Sequence, residues 1–350
     1  MMNEIQIVNP GTEITTHNRQ INEKLARYFS QIFSRLPANT QRAFSNTMKY
    51  YMGYCNINNL VSFSELMTES IESVKQYVSS MCESQLAYKT VTLRVAMISK
   101  MFSIADLPNP IKESTFLKDF IKLELRDFDI YNRANQAPAL RVEDLERINS
   151  TVVPDNLLDV RDLAIINTMF DGLLRANEVA RIQIKHIDFK CHKLLIERSK
   201  SDQDGHGSYR YISETSLSYI SDYINESNDG KENGDLARID SGILFRPISP
   251  KGTSLKPYDE SIKRVSKMKT LNYTTIYRAI KRIAQKAGLD IDLTGHSMRV
   301  GGAVSMAEAN INIQDIKKAG GWSSEVMPAR YTEQAQIEMG MHSLAKKKGR

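Results

Sequence analysis

Apolar residues in the first third of the chain recur at spacings of three and four, the period of helices that bury one face. Leu25, Tyr28, Phe29, Ile32 and Phe33 make the first such stripe. Past Pro37, with Thr40 as a candidate N-cap, the spacing predicts a second helix over residues 41–54. Its apolar face is Phe44, Met48, Tyr51 and Met52, while Arg42, Ser45 and Lys49 fall on the other side. Two more helices are expected over 68–83 and 88–103, the latter presenting Lys89 and Arg94 to solvent. Residues 1–20 mix Asn, Gly, Thr and Glu without a period and read as a flexible arm. Residues 21–125 then form an N-terminal helical domain.

The period fails between Leu123 and Ala139, where Arg126, Asp127, Phe128, Asp129, Tyr131, Asn132 and Arg133 follow no stripe and Pro138 closes the stretch. Residues 126–139 therefore read as a linker, and 140–350 as a second domain. Helical patterns resume over 141–149, over 156–172 with Leu163, Ile165, Ile166, Met169 and Phe170, and over 175–184. The pattern then turns to strands: Leu194, Leu195 and Ile196, a turn-rich loop over 201–207, and a returning strand over 209–212. Lys200 stands at the end of the first strand. Beyond it come a helix over 217–224, a short apolar strand over 243–246, and a basic helix over 273–287. That helix sets Arg278, Lys281, Arg282 and Lys286 beside Ile276, Ile280 and Ile283, and stops at Gly288. The expected fold is mainly α in two domains, with a small antiparallel β-sheet in the second. A length of 350 residues suits that count.

Charge adds a partner class. The formal net charge is +6, which favours a polyanion, although lysines and arginines opposite an apolar stripe also serve simply as a solvated face. Cys55, Cys82 and Cys191 are far apart, with no CxxC and no paired Cys/His spacing. They point to a reducing compartment, no disulfide framework and no zinc site. No run approaches the roughly 20 apolar residues of a membrane span and no signal segment opens the chain, so a soluble intracellular protein is expected. No HExxH or GxxxxGK[ST] pattern supports a metal or ATP mechanism, so no cofactor is expected.

Candidate chemistry lies in polar residues set within apolar patterns. His296 and Arg299 stand three apart in LTGHSMRVGGA, which puts them on one face of a helix starting near His296. Alone, such a pair also fits a capping histidine and a solvated arginine. It is accompanied by Arg175 and Glu178 in GLLRANEVARI, by Lys200, by the single tryptophan Trp322, and by Tyr331 nine residues later. Two guanidiniums match phosphate oxygens in a forked geometry and stay charged. A lysine on a loop can donate a proton, and a tyrosine hydroxyl beside a base can act as nucleophile. Tyr273 and Tyr277 are alternative nucleophiles, but they precede the His-x-x-Arg pair; His206 reads as a surface residue.

The set GLLRANEVARI, ERSKS, LTGHSMRVGGA, AGGWSSE and Tyr331 resembles the tyrosine site-specific recombinases of the phage integrase family, most closely their Cre-like branch. AYKTVTLRVAMISKMF resembles that branch's core-binding domain, and RANQAPAL its interdomain linker. The resemblance implies a two-domain, C-shaped clamp around duplex DNA, working without metal or ATP. Tyr331 would attack the scissile phosphate to give a 3′-phosphotyrosine, Arg175 and Arg299 would bind its oxygens, and Lys200 would protonate the leaving group. His296 would assist proton transfer, Trp322 would donate to the phosphate, and Glu178 would support the arrangement. Many relatives carry a second histidine where Trp322 stands, and the loop SDQDGHGS after Lys200 differs in composition from the Cre-like pattern.

The same resemblance implies an inverted-repeat DNA target, a dimer on each site and a homotetramer joining two sites through a Holliday junction. Arg42, Lys49, Lys89, Arg94, Arg278, Lys281 and Arg282 would face DNA. The stretch after Tyr331 could dock on a neighbouring protomer, with residues 346–348 touching DNA. A cytoplasmic, nucleoid-associated protein of a prokaryote, phage or plasmid is implied. Two other readings stay open: a catalytically inactive sequence-specific DNA-binding protein, for which residues 310–323 could pass as a helix-turn-helix, and a type IB-like topoisomerase.

Overall fold

The computed structural model describes residues 16–129, 136–197, 207–229, 239, 241–249 and 270–333. The chain divides into two compact units, Met1–Asn135 and Gln136–Arg350. The regular elements among the described residues of the first are helices: α1 (Thr16–Gln31), α2 (Ala38–Ile57), α3 (Met67–Glu83), α4 (Tyr88–Ala105), α5 (Pro110–Glu113) and α6 (Thr115–Asp129). Most of the stripes read from the sequence are its core, although Ile32 is exposed, with Phe44, Met48 and Tyr51 of α2 packed together with Tyr77 and Val78 of α3 and Ile98 and Phe102 of α4. Edge-to-face ring contacts such as Tyr51 on Phe63 and Phe63 on Phe102 fix how these helices pack.

The described part of this unit departs from the sequence reading at its ends. α1 begins at Thr16, inside the expected arm, whose residues 1–15 lie outside the described part. The residue capping α2 is Pro37, not Thr40, and it makes no side-chain cap bond. Proline's fixed φ and missing N–H suit it to a helix start without such a bond. α6 runs on to Asp129, where the sequence pattern had suggested a break from 123; residues 130–135 of the expected linker are outside the described part.

In the second unit α7 (Val142–Thr151) is followed by α8 (Leu157–Asp171), which Asn156 caps by accepting from the Asp159 backbone N–H. Nearly every residue of α8 is buried, the polar Asp159, Arg161, Asp162, Asn167 and Thr168 along with its apolar residues. It packs against α10 (Glu214–Asp229), α11 (Tyr273–Lys286) and α12 (Ser297–Glu308). Between them lie α9 (Ala176–Val179) and a sheet of β1 (Ile187–Asp188), β2 (Lys193–Ile196) and β3 (Ser208–Tyr211), all antiparallel in the order β1-β2-β3. α13 (Ile313–Gly320) follows α12, and residues 326–333 are helical.

The helix expected over 175–184 is the four-residue α9, because Gln183 leaves it to bridge Ile243 while Leu244 donates to the Ile182 carbonyl. That bridge is also what the described structure makes of the strand expected over 243–246.

Candidate active site

Arg299, the third residue of α12, is 2% exposed. Its Nη1 donates to the Leu173 carbonyl, and its guanidinium carbon lies 4.0 Å from the centroid of the Trp322 ring. Its Nη2 finds no hydrogen-bond partner among the described residues. A cation on an aromatic face gains most when both are dry, whereas an orphaned buried donor costs about 1–3 kcal/mol. Burial above all, and then the neighbouring charge of Arg175, push the Arg299 guanidinium down to about 9, with Glu178 and Tyr331 opposing. An anion at Nη2 would remove both penalties.

Glycines let these groups meet. Leu173 adopts a left-handed backbone, φ +48°, that points its carbonyl at Arg299. A Cβ on Gly302 would stand 2.3 Å from Leu173 Cδ2, and one on Gly301 only 1.6 Å from the Leu140 carbonyl oxygen. The tandem glycine of RVGGA is thus the groove in which two other segments lie against α12. In AGGW, Gly321 caps α13 at φ +59°, and a Cβ on Gly320 would fall 1.8 Å from the Trp322 ring. The indole therefore folds back over the end of α13 and under Arg299. Tyr331 is half-buried, its ring 6.1 Å from that of Trp322 and nearly edge-on at 64°. Both sit on a small apolar cluster of Leu173, Val300, Ala303, Val304, Ala307 and Ile316.

Arg175 stands just before α9. One oxygen of Glu178 accepts from its backbone N–H at 2.9 Å and the other from its Nη1 at 2.7 Å. Glu178 so caps the short helix and fixes the arginine with one carboxylate, which is what the three-residue spacing provides. His296 is the exposed residue that opens α12, its N–H donating to Thr294 Oγ1 at 3.2 Å. Arg175, Glu178, Arg299, Trp322 and Tyr331 therefore gather in one unit. Lys200, His206 and the tail from 334 onward, with its lysines 346–348, lie outside the described residues. Tyr273 and Tyr277 stack on each other at 6.4 Å, and a Cβ on Gly295 would stand 2.9 Å from the Tyr273 ring.

The basic residues assigned to DNA divide. Arg42, Lys49, Lys89 and Arg278 are exposed. Arg94 is not the solvent-facing residue expected: it is half-buried, lies 4.5 Å over the Tyr50 ring and donates to the Tyr77 hydroxyl, joining α2, α3 and α4. Arg282 is likewise engaged inside the fold, pairing with Asp162, which is fully buried and also held by Arg161 at 2.7 Å. Burial pushes the Asp162 carboxyl up against the pull of both arginines. Lys281 pairs with Asp292. Sequence reasoning missed Arg210, 5% exposed on β3. Its signal was there: it alternates with Tyr209 and Tyr211 and pairs in register with buried Leu194, an inward position for a charge.

A mostly helical chain in two compact units with a small antiparallel sheet thus brings arginines, a carboxylate, an indole and a tyrosine together in its second unit. Residues 138–338 match the phage integrase family, and the chain belongs to that family: it is a tyrosine site-specific recombinase. Recombinase Cre of Escherichia phage P1 is 24% identical over 342 residues, covering 95% of this chain and 94% of that protein. An integrase/recombinase XerD homolog of Selenomonas ruminantium is 27% identical over 308 residues, covering 85% and 82%. In fold, the chain is similar to the Tn1549 transposon integrase in complex with transposon right end DNA, with TM-score 0.61, 15% identity and coverage of 91% and 98%. It is also similar to a lambda integrase tetramer bound to a Holliday junction, with TM-score 0.53, 14% identity and coverage of 89% and 76%. Among the described residues no helix is long and apolar enough to cross a membrane.

Proposed function

We propose that the chain recombines DNA by cutting and rejoining strands through a covalent bond at Tyr331. The Tyr331 oxygen attacks the scissile phosphorus, the bond to the 5′ oxygen breaks, and that oxygen takes a proton from Lys200 to leave as a 5′-hydroxyl. His296 receives the tyrosine proton. Arg175 and Arg299 hold the non-bridging oxygens, Glu178 keeps Arg175 aimed, and Trp322 both supports Arg299 and donates to the phosphate. The phosphotyrosine retains the energy of the phosphodiester, so attack by another 5′-hydroxyl reverses the step without a nucleotide cofactor.

The observation that carries this reading is the dry guanidinium of Arg299, laid on Trp322 with Nη2 unpartnered beside a half-buried tyrosine. Such fixed charge stabilises the phosphorane-like transition state more than the ground state, an effect of about 10²–10³ per donor by analogy with oxyanion holes. With the fold relatives bound to DNA as dimers and tetramers, we infer an inverted-repeat target, one dimer per site, and strand exchange through a Holliday junction. Arg42, Lys49, Lys89 and Arg278 contribute backbone or groove contacts.

The test is a nicked duplex selected for binding. Wild-type protein should trap a covalent adduct that survives denaturing electrophoresis, and Tyr331→Phe should bind the duplex without forming it. Binding with no adduct from the wild type would leave a DNA-binding protein without this chemistry.

A further inference from the structure

Arg210 is a buried charge that this mechanism does not use. On β3 it points inward, opposite Leu194, while its neighbours Tyr209 and Tyr211 are 66% and 65% exposed. Its Nη1 donates to the carbonyl of Tyr209 at 3.0 Å, and among the described residues its Nε has no hydrogen-bond partner and no carboxylate forms an ion pair with it. Its Nη2 lies 1.8 Å from the point where a Cβ on Gly321 would stand, so the guanidinium is driven against the turn between α13 and Trp322. Burial lowers its proton affinity, with Glu178 and Arg175 the charges that act on it; Arg210 in turn acts on Arg299. The charge of Glu178 thus acts on both Arg210 and Arg299, yet that carboxylate is already bonded twice to Arg175.

An apolar side chain would fill this place without the desolvation cost of an ill-paired cation. The charge is thus poorly explained by stability. We propose that Arg210 is a positioning residue for phosphoryl transfer: it pins the Gly320–Gly321 turn that carries Trp322, and adds a third fixed positive charge behind Arg175 and Arg299. Because Trp322 is the surface on which Arg299 rests, a shift of the turn would displace both the phosphate-binding fork and the ring beside Tyr331. The inference rests on the proposed chemistry at Tyr331. Positioning errors of about 1 Å cost on the order of 100-fold in rate.

The experiment compares wild type, Arg210→Met and Arg210→Lys for adduct formation on the nicked duplex, for DNA affinity without cleavage, and for thermal unfolding. Arg210→Met should form adduct about 100-fold more slowly. Its DNA affinity should change less than about threefold and its melting temperature should be unchanged or higher, since an ill-paired buried cation is removed. Arg210→Lys, which keeps the charge and loses the fork, should recover part of the rate. Wild-type adduct together with an equal rate in Arg210→Met would overturn the inference alone. A fall in melting temperature matching the fall in rate, with no recovery in Arg210→Lys, would also overturn it by making Arg210 structural. Absence of adduct from wild type would remove the chemistry and this inference with it.

Discussion

A guanidinium that has left water without gaining a full set of acceptors holds its charge ready for an incoming anion, and Arg299 is in that condition. Burial depresses its proton affinity, to about 9. Anions prefer the charged form, so cleavage by the free enzyme should decline as pH rises through about 9, a point a pH–rate profile on nicked duplex would check. Stability should move the other way. The folded state disfavours the charged form, so this destabilisation is complete below about 9 and is relieved as pH rises above it toward the ordinary guanidinium range. Arg299→Met should accordingly cleave no DNA yet unfold no earlier at pH 7 than the wild type. A second contrast belongs to this scale. Arg282→Ala should destabilise the protein by roughly 1–3 kcal/mol in denaturant melts, because it leaves an oxygen of buried Asp162 without its donor. Arg278→Ala, on an exposed position of the same helix, should leave the melt unchanged. The sequence showed both as cations beside an apolar stripe. It could not show that Asp162, 120 residues earlier, lies under one of them.

Elements were legible where their signal is local. The stripe of α2, the extent of α8 and the return of β3 on β2 come from period and turn chemistry within a few residues. α9 was read too long because Gln183 and Ile182 pair with the segment around Ile243, a contact some sixty residues away that competes with helix continuation. The glycines of α12 were visible as a motif, but their reason is long-range too: the Leu140 backbone and the Leu173 side chain occupy the space. Gly301→Ala should therefore cost about 3 kcal/mol or more, beyond usual overpacking, since the obstacle is backbone. Gly53 in α2 is the control, with nothing within 4 Å of its added Cβ. Gly53→Ala should stabilise by roughly 0.5–1 kcal/mol. Equal effects in a denaturant titration would mean that α12 has no such crowded groove.

For the molecule as a whole, Lys and Arg exceed Asp and Glu by 47 to 41, and exposed cations occur in both units. Each phosphate neutralised should steepen the fall of log affinity with log salt by about 0.9. Arg278→Ala should make that slope shallower by about one contact, whereas Arg282→Ala should leave it unchanged. The proposed function assigns these charges to DNA, and the gathering of Arg299, Trp322 and Tyr331 within a single unit is its ground for assigning the chemistry to one tyrosine. The most direct test is to digest the protein–DNA adduct and identify by mass spectrometry the residue carrying the nucleotide. The peptide should hold Tyr331 joined to a 3′-phosphate. Linkage to Tyr273, to Tyr277 or to a 5′-phosphate would contradict the account.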